Sequence, residues 1–309
     1  MASPSGFRIH APALPYFDAV RRAGSIREAA RRLNIASSAV NRQVLKLEEE
    51  LGAKLFDRLP SGLRLTAAGE VLAGHVATVL RDAERARGEL DGLRGLRTGH
   101  VELATLEGLC HRIVPEALAA LAERHPRVTV STAIQGSAAI PDAVLAGDAH
   151  LGLAFEVRRR PGLRQLASVT LELGAVMPPG HPLAGRATIR LGDCAGSPLI
   201  LPRGNFANRG QIDELLLGTG GVRHEAGSVE LMKAMVLRGL GIAFMTRVGL
   251  ETELEAGRLV HIPLRQGREA VRSTLGLYAR TGTALPAAAG AFAGQLGEAM
   301  ARLHGPPPP

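Results

Sequence analysis

The chain has 309 residues, 46% of them hydrophobic, and a mean hydropathy of +0.09, which allows sizeable cores and excludes wholesale disorder. Its formal net charge is +8, and residues 1–66 hold eleven Lys and Arg against six Asp and Glu, so +5 of the excess sits at the N-terminal end and a polyanion is an expected partner there. With two cysteines, Cys110 and Cys194, and no C-x-x-C pair, a disulfide framework and a thiolate zinc site are excluded.

At roughly 150 residues per domain the length predicts about two domains. The first residues lack a basic segment followed by an apolar one, and no run reaches the ~18 to 20 apolar residues of a membrane span. A cytoplasmic protein with no membrane segment is expected, with residues 1–10 and the tail Gly305–Pro309 unstructured.

From Leu14 to Leu51 apolar residues recur at helical spacing with two interruptions, which predicts three helices. Leu14, Phe17 and Val20 mark the first, ended by Gly24. Ser25 caps the second, with Glu28 completing a capping box and Ile26, Ala29, Ala30 and Leu33 inward. Ser37 or Ser38 opens the third, whose inner stripe is Val40, Val44, Leu47 and Leu51. Two short helices joined by a tight turn after a supporting helix form a helix-turn-helix. The outer face of the third helix then carries Ser38, Arg42, Leu45 and Glu49, flanked by Asn41 and Lys46, side chains able to meet bases and phosphates in a major groove. The run Glu48–Glu50 would repel phosphate and is assigned to the solvated far end of the helix.

After Gly52, residues 54–58 and 63–66 flank a Pro60-Ser61-Gly62 turn and read as a hairpin, a wing from which Arg58 and Arg64 project. Thr66 caps a long helix, although Gly69 stands where a capping-box Glu would sit. Within that helix Leu72, Val76, Val79, Ala83, Ala86, Leu90 and Leu93 are spaced alternately by four and three residues. Such heptad spacing predicts pairing with a second copy, hence a homodimer.

From Val101 the pattern changes to short apolar runs alternating with helical stretches, which predicts βαβ units. Strands are expected at 101–106, 128–134, 151–155, 174–177, 198–201, 222–225, 242–245 and 271–278, and helices at 113–124, 140–146, 211–217, 229–238 and 285–303. Two α/β lobes in one chain bind ligands in the crevice at the C-terminal ends of their strands.

The stretches Gly24–Asn34, Ser38–Val44, Leu47–Gly52, Leu55–Arg58 and Leu65–Gly69 together resemble the N-terminal signature of LysR-type transcriptional regulators, and Arg238–Ala243 adds a short match further on. The resemblance implies a multi-domain chain. It has a winged helix-turn-helix domain (1–66), a dimerising linker helix (67–97) and an effector domain of two α/β lobes with the type-2 periplasmic-binding-protein fold (98–309). It also implies promoter DNA as partner, a homodimer or homotetramer, and a small-molecule effector between the lobes. Two departures, Ala36-Ser37 where the family commonly has Ser-Gln and Asn41 where it often has Ser, mean that operator bases cannot be copied from relatives. The peroxide-sensing branch uses a Cys near the position of Arg203–Phe206, where this chain has none, so redox sensing is not expected.

The expected DNA-binding residues are Ser37, Ser38, Asn41, Arg42, Lys46, Arg58 and Arg64. At strand ends that run into helices, where free N–H groups favour anions, Thr105, Ser137, Arg203, Asn205 and Ser228 are expected to bind an effector with a polar or anionic end. The plainer alternatives are that Ser137 and Ser228 only satisfy their own helix ends, that Arg203 is a solvated loop residue and that Cys110 is a small packed side chain. Ten His show no metal-ligand spacing and no nucleotide or nucleophile motif is complete, so no metal, cofactor or catalysis is expected. A transporter's solute receptor would not need residues 1–97, and an effector-independent architectural DNA binder would need only those.

Overall fold

A computed structural model describes residues 13–60, 62–93, 98–204, 206–216, 222–282 and 284–304, and the chain divides into two compact units, Met1–Leu90 and Asp91–Pro309. The first unit comprises α1 (Ala13–Ala23), α2 (Ile26–Leu33), α3 (Ser37–Leu51), the hairpin β1 (Phe56–Leu59) and β2 (Gly62–Leu65), and α4 (Ala67–Leu93). Each helix gives a short apolar stripe: Phe17 and Val20 from α1, Ala29 and Ala30 from α2, Val40, Val44 and Leu47 from α3. Leu55, Phe56 and Val76 close over them. The Phe17 and Phe56 rings meet at 5.3 Å and 45°. Asn34, left-handed at φ 55°, ends α2, and Ile35 N donates to Ala30 O at 3.0 Å, which makes the turn before α3 tight.

Three local expectations are corrected. Ser25 makes no side-chain cap bond, and Glu28 pairs with Arg31 and Arg32 of its own helix instead of closing a capping box. Leu51 is 50% exposed, and the inner stripe of α3 continues through Glu48, four residues beyond Val44. Glu48 is therefore buried and not solvated. Its Oε1 accepts from Leu55 N at 2.8 Å and Phe56 N at 3.4 Å, while Lys54 Nζ lies 2.9 Å from Oε2. Burial alone would raise this carboxyl, but the two backbone donors and Lys54 outweigh it and hold the pKa below its ordinary 4.5.

Thr66 caps α4 as expected: Gly69 N donates to its Oγ1 at 3.0 Å, and that hydroxyl donates to Lys54 O at 2.6 Å. Gly69 is there because a Cβ would lie 2.2 Å from Leu55 O, so α4 could not dock on the strand with any side chain at this position. That docking also revises the dimer seam. Val76 is fully buried and Leu72 half-buried in the core of their own unit, so neither is free for a partner helix. Val79, Ala83 and Ala86 stay partly exposed, whereas the side chains of Leu90 and Leu93 and residues 94–97 lie outside the described residues.

The second unit continues with β3 (Gly99–Thr105), α5 (Ile113–Arg124), β4 (Val128–Ile134), α6 (Ile140–Ala146), β5 (Leu151–Phe155), β6 (Leu163–Glu172) and β7 (Gly174–Met177). Then come β8 (Leu199–Pro202), α7 (Arg209–Leu216), β9 (Val222–Ala226), α8 (Val229–Leu237), β10 (Ile242–Met245), α9 (Glu251–Glu255) and β11 (Val260–Pro263). A small hairpin of β12 (Arg265–Gln266) and β13 (Glu269–Ala270) leads to β14 (Arg272–Arg280) and α10 (Ala287–Ala301). One sheet has the order β4-β3-β5-β14-β6 and the other β11-β7-β10-β8-β9. The parallel βαβ pattern holds for β4, β3 and β5 and for β9, β8 and β10, and the remaining strands add antiparallel.

Side-chain alternation sorts each strand between two layers. In the first lobe Val101, Leu103, Leu151, Leu153, Leu275 and Leu277 face α5 and α10, while Ala104, Ala154 and Tyr278 face α6. In the second, Ile242 and Phe244 lie in one layer and Ala243 and Met245 in the other with Met232 and Val236 of α8. The chain crosses between lobes twice, after β6 and after β11. The crossings are tied by Leu173 N to Val271 O, Leu264 N to Leu173 O and Val271 N to Leu264 O, each 2.9 Å.

Candidate functional site

Two surfaces carry the chemistry, one in each unit. On the first, Ser37, Ser38, Arg42 and Lys46 are exposed along the open face of α3, with Asn41 half-buried at its edge. Leu45 is 42% exposed on the same face, an apolar group able to contact a thymine methyl. Lys46 lies 3.7 Å from Glu50, and on the wing Arg64 reaches Asp57, its cross-strand partner, at 4.0 Å. Arg42 and Arg58 make no ion pair among the described residues, and neither does exposed Arg27 on α2, which the sequence reading had not singled out. The wing is held to the helices by Leu63 N donating to Gly24 O at 2.8 Å. Unpaired guanidinium groups on a rigid three-helix scaffold can meet phosphates and base edges without first breaking an internal ion pair.

The second surface is a cavity of about 330 Å³ between the lobes. Leu106, Leu109, Ile134 and Phe155 wall it from the first lobe and Phe206, Val229, Met245 and Val248 from the second. Polar groups are sparse: Glu107, Gln135, Ser137, Asn208, Ser228, Thr246 and Ser273. Beside it the lobes' backbones come close, for a Cβ on Gly249, at φ 82°, would stand 3.0 Å from Cα of the lining residue Gly108.

Of the five expected effector residues the structure brings two to this cavity. Ser137 is buried and its Oγ accepts from Phe155 N at 3.2 Å, pinning the loop after β4 to the end of β5. Ser228 is the N-cap of α8, its Oγ accepting from Leu231 N at 3.1 Å. Thr105 does not line the cavity, because strand alternation carries it to the side of Val101 and Leu103, where it is fully buried. Arg203 is exposed in its loop and not among the lining residues, so among the described residues no cation stands ready for an anionic effector end; Asn205 lies outside them.

The residue the sequence reading missed is Glu107. It sits in the 3₁₀ turn Glu107–Cys110 of the first lobe, and its carboxylate rests on the start of α8 in the second. Val229 N donates to Oε2 at 2.6 Å and Ser228 Oγ donates to Oε1 at 2.9 Å. Only the tertiary fold joins positions 107 and 228, so no local signal could have shown it. On the same side His111 Nε2 lies 2.9 Å from Glu230 and the Arg112 guanidinium 3.0 Å from Glu255, two further contacts across the lobe boundary. Neither thiol is activated: burial and the Glu107 charge raise Cys110, and burial pushes Cys194 up to about 11.

Residues 12–70 match the family described as "Bacterial regulatory helix-turn-helix protein, lysR family", and residues 94–301 match "LysR substrate binding domain". The chain is 32% identical over 298 residues to the SDS degradation transcriptional activation protein of Pseudomonas sp. (strain ATCC 19151), covering 94% of this chain and 96% of that one. It is 27% identical over 294 residues to the RuBisCO operon transcriptional regulator of Allochromatium vinosum, with 94% and 96% covered. Among solved structures, full-length OxyR from Pseudomonas aeruginosa superposes with a TM-score of 0.73 at 20% identity, covering 93% of this chain and 95% of that one. Full-length CbnR complexed with its target DNA superposes with a TM-score of 0.60 at 23% identity, covering 93% and 98%. With the winged helix-turn-helix and the two-lobed α/β unit both in place, the chain belongs to the LysR family and is a DNA-binding transcriptional regulator.

Proposed function

We propose that this regulator works in the cytoplasm, without catalysis, as a homodimer or a pair of dimers. In this reading it grips a dyad site near its own promoter through α3 and the wing, and a small molecule in the lobe crevice sets its activity. Ser37, Ser38, Asn41 and Arg42 enter the major groove, while Lys46, Arg58 and Arg64 hold backbone or minor groove. Val79, Ala83 and Ala86 of α4, with Leu90 and Leu93 beyond them, form the seam between copies. Ser137 and Ser228 serve the effector, together with Gln135, Asn208, Thr246 and Ser273.

The observation that carries the reading is the pairing of a walled 330 Å³ cavity with two tied crossovers between the lobes. A ligand between lobes joined by such crossovers and by a few polar contacts favours one inter-lobe geometry, and that preference is the coupling energy a regulator needs. Footprinting on DNA upstream of the gene, with and without a low-molecular-weight cell extract, tests it. Two half-sites a whole number of helical turns apart should be protected, and the pattern should change with the extract. A footprint that no metabolite fraction alters would favour an effector-independent architectural protein.

A further inference from the structure

Among the described residues, the crevice that the proposed function assigns to an effector is lined by one ionisable side chain, and it is acidic: Glu107. The place in the crevice that would attract an anion, the N-terminus of the nine-residue helix α8, is already filled from within the molecule. Glu107 takes the Val229 N–H on one oxygen and the Ser228 hydroxyl on the other, the two donors an effector carboxylate would otherwise use. Among the described residues no Arg, Lys or His lines the cavity, and the nearby basic side chains at the lobe boundary are engaged with carboxylates, His111 with Glu230 at 2.9 Å and Arg112 with Glu255 at 3.0 Å.

We propose that Glu107 sets the charge selectivity of this crevice: it excludes anionic molecules, and the ligand is a small, mainly apolar molecule ending in an ammonium group. The inference rests on the crevice being the effector site. A carboxylate has about four acceptor positions and two are in use, so a cationic donor can bond Glu107 without unseating it from α8. Phe155 and Phe206, one from each lobe, line the cavity and supply aromatic surface for a cation or an apolar body. An anion, by contrast, meets Glu107 in a cavity walled mainly by apolar side chains, where like charges are poorly screened.

The experiment is calorimetric titration of the full chain with a matched pair of probes, 2-phenylethylamine and 3-phenylpropanoate, against wild type, Glu107→Ala and Glu107→Gln. Wild type should bind the amine at least tenfold more tightly than the carboxylate. Glu107→Ala should weaken the amine at least tenfold and strengthen the carboxylate at least tenfold, because the α8 amide and the Ser228 hydroxyl become free. Glu107→Gln, which keeps the bridging shape without the charge, should bring the two affinities near parity and guards against a loss that merely reflects loosened lobes. A wild type that prefers the carboxylate, or a preference unchanged in both variants, overturns the role of Glu107 while leaving the crevice as a ligand site. Binding of neither probe to any of the three forms contradicts the crevice reading itself.

Discussion

Replacing Glu48 with alanine isolates the contact on which the first unit's geometry depends. The carboxylate is 8% exposed and satisfies Leu55 N at 2.8 Å and, more weakly, Phe56 N at 3.4 Å. Removing it orphans one well-made buried donor and one marginal one, and an unsatisfied buried donor costs about 1 to 3 kcal/mol. The Lys54 pair adds little, because that lysine is 73% exposed and screened. The expected loss is therefore about 2 kcal/mol, and Glu48→Gln, which keeps an acceptor oxygen for Leu55 N, should lose about half of it. Peptide-level hydrogen exchange over residues 52–60 reads this locally. About 2 kcal/mol corresponds to roughly a thirtyfold loss of protection. Because the folded-state pKa lies below 4.5, the contribution is complete above that pH and should fade as pH drops through and below it. Unchanged protection at Leu55 in Glu48→Ala would refute the reasoning.

Other outcomes follow from the same geometry. His261 packs over Gly174 and donates from Nε2 to Met245 O at 3.0 Å, and burial lowers its pKa to about 4 from 6.5. A depressed folded-state value gives stability that is present above pH 6.5 and lost as pH falls toward 4, on the order of 3 kcal/mol, so melting temperatures should fall less steeply over that range in His261→Gln. Val79→Asp puts a charge opposite its symmetry mate in the proposed seam, and light scattering should find monomers; an unchanged dimer would reject that seam. Cys194, pushed up to about 11, has roughly one thiol in a thousand ionised at pH 8, so iodoacetamide should label it in unfolded but not in native protein.

Four strands of each sheet and most of the helix order were legible from short apolar or alternating runs, as in Val128–Ile134, Leu151–Phe155 and Ile242–Met245. β6 was not, since Leu163–Glu172 mixes Arg, Gln, Ser and Thr among its apolar residues and its burial comes from β14, which follows a hundred residues later. Thr105 failed on parity: the strand was recognised, but one residue decides whether a side chain faces core or crevice, and Val101 and Leu103 had already fixed the core side. Leu51 failed because the stripe could end in Leu51 or turn through Glu48, and only the wing's backbone donors favour the carboxylate. Reading the fused heptads of α4 as one seam overlooked that its first turns dock on their own domain.

The central claim, that the exposed face of α3 reads sequence, is tested most directly by fluorescence anisotropy of the full chain on its own upstream DNA and on a shuffled duplex of equal length, with wild type and Arg42→Ala at fixed salt. Specific regulators favour their sites by about a thousandfold or more. A bidentate base contact from Arg42, which has no ion-pair partner among the described residues, is worth about 1 to 3 kcal/mol. The account predicts that Arg42→Ala weakens the upstream site by that amount and the shuffled duplex far less. Equal losses on both duplexes would move Arg42 to the phosphates, and a wild type that binds both alike would contradict the claim.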